Sequence, residues 1–180
     1  TCALPIYLDD YGVNHFIAVI NHIKSCFPKI KIELLTPDFK GRLDLIDLLL
    51  DTPIDVFGHN IETISRLYKH IRPQSDFLVT TKVLAHVAKN KNIVTKTAMM
   101  VGLGETDEEV VDNLQLIKSL GVQTVNIGQY LRPSLKHWPV DRYVSQESFL
   151  KFRQAGKNIG FNNIFADSFV RSSYNAKESF

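Results

Sequence analysis

Two hydrophobic rhythms alternate along this chain. Short β-branched or apolar runs at residues 30–35, 54–57, 94–101, 122–127 and 164–169 predict strands. Between them apolar positions fall three and four residues apart, the helical spacing. Phe16, Ile17, Ile20 and Ile23 predict a helix ended by Pro28, and the dense run 43–50 predicts a buried one. Ile61, Ile64, Tyr68 and Ile71 predict a helix closed by Arg72-Pro73, and residues 78–89 another. Thr106-Asp107-Glu108-Glu109 has the form of a capping box, Val110, Leu114, Ile117 and Leu120 give the following helix one apolar face, and Gly121 suits its left-handed exit. Ser145 opens a helix carrying Phe149, Phe152 and Ile159 and ended by Gly160. Strands separated by amphipathic helices predict an α/β fold of parallel βα units, a barrel or a doubly wound sheet. Four or five strands are too few for a closed barrel of eight.

In such folds chemistry gathers at the carboxyl ends of the strands. The candidates are therefore Thr36-Pro37-Asp38, His59-Asn60, Gly102 to Glu105, Gln129 to Arg132, and the tail after Phe169. Gly102-Leu103-Gly104-Glu105 opens a helix whose free amides could hold an anion; taken alone, the motif reads first as a tight βα turn with a well-capped helix. Asp107 stands where a dinucleotide fingerprint needs its third glycine. His59-Asn60-Ile61-Glu62 either orients a polar ligand or supplies a helix cap, with Glu62 at the positive helix end. The long polar and aromatic stretch through Tyr143, with Gln129, Tyr130, Arg132, His137 and Arg142, has the length of a functional loop.

Composition narrows the classes. The 180 residues are 44% apolar and 22% charged, as in ordinary globular domains, and the length suits one domain spanning 1–180. Lys plus Arg is 21 against 19 acidic residues, a net charge of +2, so there is no electrostatic footprint for nucleic acid or an anionic membrane. No continuous apolar run reaches membrane-spanning length. Two cysteines, Cys2 and Cys26, give neither a disulfide framework nor a self-sufficient thiolate metal site.

Five blocks occur in series: Glu33-Leu34-Leu35-Thr36-Pro37-Asp38-Phe39-Lys40-Gly41-Arg42, Val56-Phe57-Gly58-His59-Asn60-Ile61-Glu62-Thr63, Met100-Val101-Gly102-Leu103-Gly104-Glu105-Thr106, Gly128-Gln129-Tyr130-Leu131-Arg132-Pro133-Ser134 and Val170-Arg171-Ser172-Ser173-Tyr174-Asn175-Ala176. Through them the chain, from about Leu8 to its C-terminus, resembles the lipoyl synthase family of radical S-adenosylmethionine enzymes. The resemblance implies a partial parallel βα barrel of the radical-SAM type, with the N-terminal strands missing and residues 161–180 forming a C-terminal strand and tail that carries the Arg-Ser-Ser-Tyr motif. It implies two [4Fe–4S] clusters, one reducing S-adenosylmethionine and one donating sulfur. The reaction implied is insertion of two sulfurs at C6 and C8 of an octanoyl group on a carrier-domain lysine.

By the same resemblance Ser173 is a ligand of the sulfur-donating cluster, an unusual oxygen ligand for iron, with Arg171 beside it. Asn60, Glu62, Arg72, Gly102, Gly104 and Glu105 would face S-adenosylmethionine; Gln129, Tyr130, Arg132, His137 and Arg142 would face the acylated lysine and its carrier. The implied partners are an octanoylated lipoyl domain or H-protein and an electron donor such as ferredoxin or flavodoxin, in bacterial cytoplasm or, in a eukaryote, the mitochondrial matrix. The family's two cysteine motifs are absent, Leu8 to Asn14 keeps part of an acidic Gly-Gly stretch, and residues 3–7 match nothing. The expectation is a C-terminal fragment, inactive alone, with an open sheet edge at the Ile30–Leu35 side. A biotin synthase-like enzyme lacks the Arg-Ser-Ser-Tyr tail, and a cluster-free remnant that binds a nucleotide or the carrier is the reading from another class.

Overall fold

The strand β3 (Val94–Val101) is the longest and sits in the middle of the sheet. In the computed structural model, which describes residues 8–179, it is flanked by β1 (Glu33–Leu35), β2 (Val56–Gly58), β4 (Thr124–Gln129) and β5 (Asn163–Asp167). All pairings are parallel and the spatial order β1-β2-β3-β4-β5 follows the chain. A sheet that never reverses its order is a piece of barrel wall; a doubly wound sheet would switch direction. The partial-barrel expectation holds, and β1 lies at an open edge as predicted, with Leu35 exposed.

Among the described residues six α-helices connect or flank the strands: α1 (Val13–Cys26), α2 (Leu43–Leu50), α3 (Ser65–Ile71), α4 (Phe77–Val87), α5 (Asp107–Ser119) and α6 (Gln146–Ile159). The capping box at Thr106 and Glu109 is formed, and Ser145 caps α6 through the Ser148 amide. Alternation along a strand sends neighbouring side chains to opposite faces. Val125, Ile127, Ile164 and Ala166 therefore pack outward against Leu114, Ile117, Phe149 and Phe152. Lys96, Thr124, Asn126 and Gly128 belong to the inner face.

That inner face is polar. Lys96 is 2% exposed and its Nζ lies 2.9 and 3.1 Å from the Glu33 carboxylate oxygens, an ion pair spanning β2. One expectation shifts. Ile61 and Glu62 are not helical: Glu62 N–H donates to Ala98 O, Met100 N–H donates to Glu62 O, and Glu62 bridges to Met99 as a short extension of the sheet, so α3 starts only at Ser65. A 3₁₀ turn at Phe39–Gly41, with Phe39 and Lys40 at positive φ, follows the Thr36-Pro37-Asp38 turn. Among the described residues no helix is long and apolar enough to cross a membrane. Cys2 and residues 3–7 lie outside the described residues.

Candidate functional site

At the carboxyl ends of β2, β3 and β4 the sheet opens into a cleft of about 680 Å³. Ala98, Met99 and Met100 line it from β3, Asn126 and Gly128 from β4, and Val170, Arg171 and Ser172 reach it from the tail. Another wall is the loop after β4, where Tyr130 Oη donates to Trp138 O at 2.8 Å and Trp138 Nε1 donates to Leu103 O, in the turn after β3, at 3.0 Å.

Three residues assigned to S-adenosylmethionine by resemblance, Asn60, Glu62 and Arg72, do line this cleft. Arg72 Nη1 sits 3.1 Å from Glu62 Oε1; the Glu62 side chain is 18% exposed and that of Arg72 47%. Asn60 caps no helix, because the α3 cap is Ile64. Burial raises the pKa of Glu62, opposed by the Arg72 charge and a hydrogen bond from Asn60. Glu62 also holds φ 64 without being glycine, a conformation that costs roughly 1 kcal/mol or more. Strain and a desolvated carboxylate together, beside a free-ended guanidinium, mark a place built for a ligand rather than for stability.

The sign of that pKa shift gives a test. A carboxyl whose folded pKa is raised contributes most below its unfolded value of 4.5, and that contribution is lost as pH rises through the folded pKa. Glu62→Gln should therefore raise thermal stability at pH 7 by on the order of 1 kcal/mol. The gain should vanish below the unfolded value. Melting curves across pH check it; a loss at pH 7 would show that the Arg72 pair outweighs burial.

The other sequence candidates separate. Gly102, Gly104 and Glu105 do not line the cleft, and the expectation of free amides at this turn is corrected. The Glu105 carboxylate, wholly buried, accepts from Gly102 N at 2.6 Å and Leu103 N at 3.0 Å. Gln129 and Tyr130 line the cleft. However, the Gln129 amide is spent on loop backbone, donating to Tyr130 O and Arg142 O and accepting from Val144 N. Arg132 is turned onto the carbonyls of His137 and Leu135, away from the cleft. Arg142 pairs with Asp107 at 2.6 Å and lies 3.8 Å from Glu105, so it braces the turn instead of facing the cleft. His137 lines the cleft, with Nδ1 2.9 Å from Ser134 Oγ. Arg171 lines it too, its Nη1 donating to Val170 O at 2.6 Å. Ser173 is exposed at the turn just beyond the lining residue Ser172.

Sequence reasoning missed Asn126. Its signal was there: a polar side chain between Val125 and Ile127, on the face opposite theirs. His59, singled out as a ligand-orienting group, is buried instead. Its Nδ1 lies 3.0 Å from Thr36 O and its Nε2 3.3 Å from Thr80 Oγ1, and burial lowers its pKa.

Residues 5–117 match the family model of the radical SAM superfamily. The chain belongs to that superfamily. Among curated relatives, lipoyl synthase of Psychrobacter cryohalolentis is 46% identical over 175 residues, covering 96% of this chain and 50% of that protein. Lipoyl synthase of Chromobacterium violaceum is 44% identical over 171 residues, covering 94% of this chain and 54% of its own length. The lipoyl synthase of Actinobacillus succinogenes is 44% identical, over 94% of this chain and 53% of its own length. The chain thus spans about half the length of the curated relatives it matches.

Radical SAM proteins imply S-adenosylmethionine and an iron–sulfur cluster, and the two groups fit differently here. An adjacent carboxylate and guanidinium suit the ammonium and carboxylate of an amino-acid zwitterion, and the cleft has room for a nucleoside. A whole cluster site is not built by the described residues: among them no group of three or more His, Cys, Asp or Glu side chains converges, and Cys26 is exposed at the end of α1. The Ser173 hydroxyl alone is no cluster site.

Proposed function

We propose that this chain forms the S-adenosylmethionine and substrate cleft of a lipoyl synthase, which inserts two sulfurs at C6 and C8 of an octanoyl group on a carrier-domain lysine. The observation that carries it is the Glu62–Arg72 pair lining a cleft whose β3 floor is Ala98, Met99 and Met100. S-Adenosylmethionine would supply the hydrogen-abstracting radical. Glu62 pairs with its ammonium, Arg72 with its carboxylate and Asn60 with its polar edge, while Ala98 and Met100 shield the reacting chain from water. The Gly102–Glu105 turn contributes by holding the loop wall, and Gln129, Tyr130 and His137 shape the side facing the acylated lysine. Ser173 is proposed as a cluster ligand that this chain adds to a set supplied from elsewhere. The partners in this reading are an octanoylated lipoyl domain or H-protein and a ferredoxin or flavodoxin, in a bacterial cytoplasm.

Relatives of similar sequence supply the test. The matching part of the Psychrobacter cryohalolentis protein is replaced by this chain, and the hybrid is expressed in cells lacking lipoyl synthase, grown without lipoate. Restored protein lipoylation is the expected result, and Ser173→Ala in the hybrid should lower it by at least a hundredfold while sparing S-adenosylmethionine cleavage. A well-expressed, folded hybrid that gives no lipoylation would overturn the assignment. Unchanged lipoylation with Ser173→Ala would remove Ser173 from it.

A further inference from the structure

Asn126 lies in the middle of β4 with its side chain fully enclosed. Its Nδ2 donates to three backbone carbonyls of the C-terminal turn: Arg171 O at 2.8 Å, Ser172 O at 3.1 Å and Tyr174 O at 3.3 Å. Three acceptors around one nitrogen settle which end of the amide is which. The Oδ1 atom, on the other end, is buried with no partner among the described residues. Leaving an acceptor unsatisfied costs free energy that an apolar residue at this position would avoid. The sequence thus accepts a local penalty to keep an –NH₂ group under the turn.

The neighbouring residues point the same way. Gly128, the next residue on this face of β4, lies so close to the tail that a Cβ there would come within 2.0 Å of Val170 O. Tyr174 packs edge-on against Phe165 of β5, ring centroids 6.0 Å apart, and its N–H donates to Arg171 O at 2.9 Å. Of residues 171–174, Ser173 is the one whose carbonyl the amide does not take. It stands exposed at the apex while the carbonyls on both sides of it are held down.

We infer that Asn126 is a positioning residue: its amide clips the turn by three carbonyls and sets Ser173 at the apex beside the cleft. The part played by Ser173 rests on the function proposed above; the clip rests on geometry alone. Asn126→Asp decides between clipping and packing, because it keeps the shape of the side chain but removes both N–H donors.

Hydrogen exchange on the 180-residue chain is the first measurement. In Asn126→Asp and in Asn126→Leu the Tyr174 amide should exchange at least tenfold faster, while the β4 and β5 amides keep their protection. Tail protection unchanged in Asn126→Asp would overturn the clip. Equal loss of protection in the tail and in β4 and β5 would overturn it too, since Asn126 would then be a general stabilising residue. The second measurement uses the hybrid enzyme. Asn126→Asp should reproduce Ser173→Ala, with S-adenosylmethionine cleavage retained and lipoylation lost. Normal lipoylation with a released tail would overturn the positioning role while leaving the proposed function standing. If Ser173→Ala also lipoylates normally, it is the role of Ser173 that falls.

Discussion

Lys96→Met is expected to destabilise the chain by about 3–5 kcal/mol, the cost of stripping one partner from a buried ion pair. Lys96 is 2% exposed and Glu33 10%, so the carboxylate left behind has little water to turn to. The pair holds the edge strand β1 to the central strand across β2, directly beneath the cleft, since Lys96 precedes Ala98 by one step on the same face of β3. Replacing both partners, Glu33→Leu with Lys96→Met, should recover most of the loss, because two apolar side chains carry no desolvation penalty. Urea denaturation of the two single variants and the double variant measures this. A single-variant loss under about 1 kcal/mol would mean that water reaches Glu33 after all. A double variant no better than Lys96→Met would mean that packing, not charge, holds β1.

Such a pair is hard to see in sequence, and the reason shows how far the pattern reaches. Residues 43–50 and 94–101 read as a helix and a strand with the bounds they have in the structure, because a dense apolar helix and a long β-branched run are locally decided. The Thr106–Glu109 capping box is likewise local. Ile61 and Glu62 are not: Ile61 has helical spacing, but its N–H donates to Thr97 Oγ1, and Glu62 is drawn to the sheet by backbone hydrogen bonds with Ala98 and Met100, more than thirty residues on. At the site, Asn60, Glu62 and Arg72 were legible through resemblance and do meet at one cleft. The resemblance also placed Glu105 at S-adenosylmethionine and Arg132 and Arg142 at the acylated lysine, and side-chain direction turns all three elsewhere. A carboxylate that folds back onto amides two and three residues earlier looks, in sequence, like a turn open to anions.

That reversal gives the second large effect. Glu105→Ala is expected to cost about 2–4 kcal/mol, because the Gly102 and Leu103 amides would both lose their acceptor inside the protein. Little else can replace it. Gly102 is at φ 93 against Arg142 O and the Gln129 amide, where even a Cβ would come within 2.4 Å, so the turn has no room to rotate its amides elsewhere. The change can be followed from within, since the chain's single tryptophan, Trp138, donates to the Leu103 carbonyl of this same turn. Its emission should shift red in Glu105→Ala under native conditions, and the urea midpoint should fall. If the turn were instead an anion site, removing the carboxylate would free two amides, raise affinity for sulfate or phosphate and leave stability nearly unchanged. The two readings therefore predict opposite behaviour from one substitution: an internal cap loses stability and gains no ligand, because amides that must be buried to fold cannot also wait for an anion.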